Sequence, residues 1–158
     1  IMDNLLPGKT LYMLSTGTGL APFMSIIKDP EVYERYDHVV LCHGVREVSE
    51  LAYADFISEQ LHDNEFFGAE SRKKLIYYPT VTREEFRNQG RLTNLIESGK
   101  LFSDIGLPPL NAETDRVMMC GSPSMLKDLV VMLEERGFTE SRHGQQAHYV
   151  IERAFVEK

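Results

Sequence analysis

Five short apolar runs recur along the chain, and a segment with helical spacing of apolar residues follows most of them. The runs predict β-strands at 11–14, 38–43, 74–80, 116–120 and 146–153. Helical patterns lie at 20–28, 31–36 (a short polar helix or turn), 50–66, 92–98, 102–105 (a helical turn) and from Pro123 to Arg136. The alternation predicts the α/β class, as a doubly wound five-stranded parallel sheet with helices on both faces.

The longest predicted helix, 50–66, carries the clearest apolar stripe. Ser49 stands directly before it and is a suitable N-cap residue. Its buried face is predicted to consist of Leu51, Ala54, Ile57 and Leu61. The polar residues 68–73 that follow predict a loop before the third strand.

Composition limits the classes of function. A chain of 158 residues fits one domain, and its 42% hydrophobic and 26% charged residues are those of an ordinary globular protein. A formal charge of -7 argues against nucleic acid as a main partner.

Cys42 and Cys120 fit neither a metal site nor a disulfide framework, which favours a reducing cytoplasm. No apolar run approaches the roughly 20 residues of a membrane span. Position 1 is not Met, and the start resembles neither a signal nor a transit peptide, which leaves open a fragment or a stand-alone protein.

The first strand leads into a turn with two glycines, Gly17 and Gly19, and then into a helix with Pro22 in its first turn. A strand, a glycine turn and a helix start together form a phosphate-binding device. The alternative is a tight strand-to-helix connection without a ligand. Pro22 stands where a G-x-G-x-x-G pattern has its third glycine, so the full pattern is absent. A pyrophosphate is still expected on Thr18, Gly19 and the helix start.

Arginines follow the second and third strands. Arg46 comes after strand two, where NAD-specific folds carry an acidic residue, and Arg83 and Arg91 come after strand three. The planar fork of arginine suits a nucleotide 2′-phosphate. Because the two strands are predicted neighbours, the three arginines are expected to converge on one anion. Exposed arginines at loop tips are the alternative.

Strand four is followed by Cys120, Gly121, Ser122 and Pro123, in which Gly121 would let a flat ring approach the backbone and Ser122 would cap the next helix. Cys120 is either a reactive thiol or a small buried residue. The five histidines show no metal-ligand spacing and are interpreted as structural or exposed, so no metal is expected.

These motifs resemble the nicotinamide-nucleotide domain of ferredoxin–NADP reductases of the bacterial, plant-type-related branch. The resemblance rests on STGTGLAP at 15–22, GVR at 44–46, TR at 82–83 with GR at 90–91, MCGSP at 119–123 and the tail AFVEK at 154–158. It spans nearly the whole chain. It implies a ferredoxin-reductase-like fold in which 1–158 form the NADP-binding domain, while the flavin-binding barrel of the family has no counterpart here.

The resemblance also implies roles for single residues. Cys120, Ala154 and Glu157 would lie at the reacting rings, with Cys120 beside the nicotinamide and Ala154 at the flavin. Thr16 would touch the flavin from the nucleotide side. The implied cofactor-binding residues are Thr16, Thr18, Gly19, Val45, Arg46, Thr82, Arg83, Arg91, Gly121, Ser122, Pro123, Ala154, Phe155, Val156, Glu157 and Lys158.

The function implied is electron transfer between NADPH and ferredoxin or flavodoxin through FAD, with the flavin domain required for catalysis. Two other functions stay open. One is a non-catalytic NADP-binding or sensor module that docks to other proteins. The other is a reductase component that serves a different acceptor, such as an oxygenase.

Overall fold

A computed structural model describes residues 2–51 and 53–152 of the chain. Within them, five parallel strands form one sheet: β1 (Thr10–Thr16), β2 (His38–Val45), β3 (Leu75–Val81), β4 (Asp115–Cys120) and β5 (Tyr149–Ile151). Their order in the sheet is β3-β2-β1-β4-β5. The predicted fold class is therefore confirmed, and strands two and three are neighbours as expected. The last strand is shorter than the 146–153 predicted.

Helices cover both faces of the sheet. Those of the described residues are α1 (Ala21–Ile27), α2 (Pro30–Arg35), α3 (Ala54–Ser58), α4 (Gly68–Lys74), α5 (Leu92–Glu97), α6 (Lys100–Ile105) and α7 (Pro123–Glu135). Alternate strand residues point to opposite faces, so each face has its own apolar core. Leu11 and Met13 pack with α1, α2 and α3, whereas Tyr12 and Leu14 pack with α5 to α7.

The prediction of one helix over 50–66 is wrong. Glu47 and Glu50 form a reciprocal capping box that closes a 3-10 turn at Val48–Glu50, so Ser49 is not the N-cap. The side chain of Asn64 accepts the N–H groups of Phe66 and Phe67 and ends the segment. Polar side chains that bond locally to the backbone compete with helix formation, which explains the break.

The buried stripe of that segment survives only in part. Ile57 and Leu61 are buried, whereas Leu51 and Ala54 are half-buried. The predicted loop at 68–73 is instead helix α4, because Phe67 packs into the core and starts it there.

Two predicted cap residues, Gly99 and Ser122, are confirmed. Gly99, with φ +83°, follows α5 in the left-handed conformation expected of a glycine after a helix. Ser122 caps α7 by accepting the N–H of Met125 at 3.4 Å. Cys42 and Cys120 are free and buried. No helix in the described part combines the length and apolar character that a membrane crossing requires.

Candidate nucleotide-binding site

The order of the strands reverses beside β1. The chain moves from β1 to β2 on one side and later returns to β4 on the other, and all three strands run in the same direction. Ligands of open α/β sheets bind at such a switch point, beyond the carboxyl ends of the strands. The ends of β1 and β4 are Thr16 and Cys120. The two glycine motifs predicted from the sequence are thus brought together.

A direct contact joins these two motifs. The Thr16 hydroxyl accepts the backbone N–H of Ser122 at 3.0 Å. A Cβ on Gly19 would lie 2.6 Å from the carbonyl carbon of Cys120, and a Cβ on Gly121 would lie 3.0 Å from the backbone nitrogen of Thr16. Both glycines are therefore required by the close approach of the two strand ends, in addition to anything they offer a ligand.

The glycine turn and the helix predicted after β1 are both present. Gly17–Leu20 is a 3-10 turn, and α1 begins at Ala21, one residue after the predicted start at position 20. Gly17 has φ +51° and is exposed, as is Thr18, whereas Gly19 is buried. The exposed residues that this turn offers a pyrophosphate are therefore Gly17 and Thr18.

His43 holds this turn from below, a role that the sequence did not indicate. Its ring is only 2% exposed, and its Nε2 lies 2.8 Å from the carbonyl oxygen of Gly17. Burial lowers the pKa of His43, which keeps the ring neutral with Nε2–H as the donor. Its Nδ1 is buried without a hydrogen-bond partner among the described residues. The available signal was its place at the end of β2, next to Ser15 of β1.

The loops that carry the arginines are joined by backbone hydrogen bonds. The N–H of Thr82 donates to the carbonyl of Val45 at 3.1 Å, and that of Arg83 donates to Arg46 at 2.9 Å. Gly90, next to Arg91, donates to Val81 at 3.0 Å. The backbones at Arg46, Arg83 and Arg91 are therefore close to one another, and all three residues are exposed.

A cavity of about 270 Å³ lies between these loops. Its walls come from the residues that follow Arg46, from the end of β3 and from the loop that follows Arg83. They are Val48, Leu51, Ala54, Asp55, Pro79, Phe86 and Arg87. Arg46, Arg83 and Arg91 are not among them.

The thiol of Cys120 is fully buried. Burial and, secondarily, the charge of Glu152 raise the pKa of Cys120, so the thiol stays protonated. The burial and the raised pKa favour the interpretation of Cys120 as a small buried side chain over that of a reactive thiol. Glu152 stands directly after β5, and its N–H donates to the carbonyl of Met119 at 2.8 Å. The predicted strand 146–153 included Glu152, so the sequence did not single it out as a site candidate.

The remaining predicted site residues are in two groups. Ser122 and Pro123 are exposed at the start of α7, beside Thr16. Ala154, Phe155, Val156, Glu157 and Lys158 lie outside the described residues. The described residues contain no group of three or more His, Cys, Asp or Glu side chains placed to hold a metal ion.

A parallel sheet with a glycine turn at its switch point and arginines after the adjacent strands defines a nucleotide-binding α/β domain. Comparison with known proteins gives the family. The chain belongs to the oxidoreductase NAD-binding domain family, whose model matches residues 13–130.

Relatives with known names share this domain. The chain is 63% identical to a ferredoxin–NADP reductase of Pseudomonas aeruginosa and 64% identical to one of Azotobacter vinelandii, over 100% of this chain and 62% of each relative. It thus spans about three fifths of the length of these curated relatives. A crystal structure of a ferredoxin NADP+ reductase from Neisseria gonorrhoeae with bound FAD and NADP matches with a TM-score of 0.83 and 29% identity, covering 96% of this chain and 58% of that one. The predicted resemblance and the ferredoxin-reductase-like fold are confirmed.

Proposed function

We propose that this chain is the NADP-binding domain of a flavoprotein that transfers electrons between NADPH and ferredoxin or flavodoxin. The observation that carries the proposal is the hydrogen bond from Arg83 to the carbonyl of Arg46, which ties two arginine-bearing loops together beside the glycine turn. Arginines in this position suit the 2′-phosphate that distinguishes NADP from NAD. The names of the relatives support the same function.

The proposed nucleotide lies across the carboxyl edge of the sheet. Its 2′-phosphate is held by Arg46, Arg83 and Arg91, with Val45 and Thr82 below. Its pyrophosphate lies on the exposed turn at Gly17 and Thr18, next to the buried Gly19. Its nicotinamide reaches the meeting point of β1 and β4, where Thr16, Gly121, Ser122 and Pro123 contact it, and the buried Cys120 stands directly before Gly121.

The residues present fit this nucleotide. The exposed backbone of the turn offers N–H groups to phosphate oxygens, and the exposed arginines offer charged donors. In the proposed enzyme, FAD on a second domain would exchange hydride with the nicotinamide and single electrons with the protein partner. This domain binds and orients the nucleotide, and the proposed role of residues 154–158 is to contact flavin and nicotinamide.

Arginine substitutions in the full-length protein test the nucleotide assignment. We expect Arg83→Ala to lower kcat/KM for NADPH by roughly tenfold to a hundredfold, the equivalent of about 1.5–3 kcal/mol for a charge-assisted contact. Activity with NADH should stay within twofold, because NADH lacks the 2′-phosphate. Steady-state kinetics with both nucleotides measure this difference.

The matched control is Arg72→Ala. Arg72 is an exposed arginine of α4, which leads into the start of β3, at the edge of the sheet opposite to the arginine loops. The Arg72→Ala variant should keep the wild-type kcat/KM for both NADPH and NADH. Equal losses with NADPH and NADH in the Arg83 variant would contradict the 2′-phosphate assignment.

The acceptor is tested separately. Turnover of the full-length protein with ferredoxin, flavodoxin and quinone-type acceptors should be fastest with one of the first two. Faster turnover with another acceptor would favour a reductase of a different system, and a purified protein that holds no flavin would favour the sensor module.

We place this function in the cytoplasm, where thiols such as Cys42 remain reduced.

A further inference from the structure

The loop that carries Arg83 and Arg91 runs along the open edge of the sheet. β3 is an edge strand, and Pro79 within it has no N–H to donate. At the end of β3, the backbone N–H and carbonyl of Val81 form hydrogen bonds with the loop itself. Val81 donates to the carbonyl of Asn88 at 3.1 Å and accepts the N–H of Gly90 at 3.0 Å.

Asn88 adds a side-chain bond to this arrangement. Its Nδ2 donates to the carbonyl of Pro79 at 2.9 Å. Among residues 82–91, all of which the structure describes, only Asn88 is buried, with 9% of its surface exposed. The amide is therefore the anchor of a loop whose other side chains are exposed or half-buried.

The ends of this loop are held by neighbouring elements. One end is tied to the β2 loop by Arg83 N–H and by Glu84, whose carboxylate accepts the N–H of Val48 at 2.9 Å. The other end continues at Arg91 into α5, whose Leu92 is buried. Between these ends, Phe86 and Arg87 line a cleft of about 270 Å³ with Pro79, so Asn88 is the one buried side chain of the described residues 82–91 that ties the middle of the loop to β3.

We infer that Asn88 is a positioning residue for nucleotide specificity, acting by holding the loop that places Arg83 and Arg91 against the 2′-phosphate. This inference rests on the proposed function. An alanine at this position removes the donor to Pro79, and that carbonyl loses its partner at the edge of the sheet. The loop then moves away from β3 and separates the arginines from one another.

The test compares Asn88→Ala with wild type in the full-length protein. We expect kcat/KM for NADPH to fall on the order of tenfold, the scale of one misplaced charge-assisted contact. Activity with NADH should change less than twofold. Inhibition by 2′-AMP should weaken by the same factor as NADPH use, whereas inhibition by 5′-AMP should not change. A side chain with a merely structural role would lower activity with both nucleotides together.

Controls separate the possible failures. Asn94→Ala makes the same substitution at an exposed position of α5 and should have no effect. If Asn88→Ala does not fold, Asn88→Ser, which is too short to reach Pro79, takes its place. An unchanged NADPH preference in the Asn88 variants, while Arg83→Ala loses it, would overturn the inference and leave the proposed function standing. A wild-type protein that uses NADPH and NADH equally would overturn both.

Discussion

Replacing Gly19 by alanine tests whether the contact between the β1 turn and the end of β4 organises the site. The added Cβ would lie 2.6 Å from the carbonyl carbon of Cys120 and 2.9 Å from the nitrogen of Gly121. Both are backbone atoms and cannot rotate away. The carbonyl oxygen of Cys120 is nearer still, so restoring ordinary contact requires the turn and β4 to separate by about 1 Å.

The cost follows from this displacement. Overpacking against backbone costs up to about 3 kcal/mol, and the reduced freedom of the unfolded chain offsets about 0.4–1 kcal/mol of it. We expect a net loss of about 2 kcal/mol in the free energy of unfolding, which lowers Tm by roughly 4–8 °C for a domain of this size. Gly17→Ala is the comparison in the same turn. Its Cβ meets nothing within 4 Å, so its cost is the left-handed backbone alone, about 1 kcal/mol.

Urea unfolding and nucleotide kinetics together measure the effect. Because the pyrophosphate is common to both nucleotides, Gly19→Ala should raise the KM for NADPH and NADH by the same factor, unlike the arginine substitutions. A Gly19 variant as stable as the Gly17 variant, or one with an unchanged KM for both nucleotides, would refute the reasoning.

Two further results are expected. Thr16→Val removes the acceptor of the Ser122 N–H and should cost about 1 kcal/mol of unfolding free energy in urea titrations, whereas Thr16→Ser should retain stability. Burial lowers the pKa of His43, so in the unfolded chain this histidine is protonated at a higher pH, near 6.5, than in the folded chain. The free energy of unfolding is therefore constant above that pH with respect to His43 and decreases as the pH falls towards 5. His43→Gln should lose less stability than wild type over that range, and parallel pH profiles would contradict this role.

The sheet and the position of the candidate site were predictable because both depend on local patterns. Each strand is an apolar run, and the rule for parallel sheets then identifies the residues after each run as site candidates. The rule selects Arg46 and Arg83, whose loops the structure joins by a backbone hydrogen bond. It does not select Glu152, because the predicted strand 146–153 extends past this residue, whereas β5 ends at Ile151.

The features that sequence reasoning missed depend on partners far away in the sequence or on backbone competition. His43 is defined by a carbonyl 26 residues away, and Asn88 by the open edge of β3. The break in 50–66 arises from side chains that bond the backbone, such as that of Asn64, and apolar spacing does not report them.

The central position of β1 has a consequence for synthesis. Thr16 and the Ser122 N–H that it accepts are 106 positions apart. At the usual rate of translation, roughly 5–20 seconds separate their emergence from the ribosome. During that time β1 can pair with β2 on one side, while its other edge lacks β4 and is open to wrong pairing with other chains. The proposed nucleotide-binding edge is therefore completed only when β4 joins the sheet. Under the proposed function, NADP can stabilise the nascent domain only after that step.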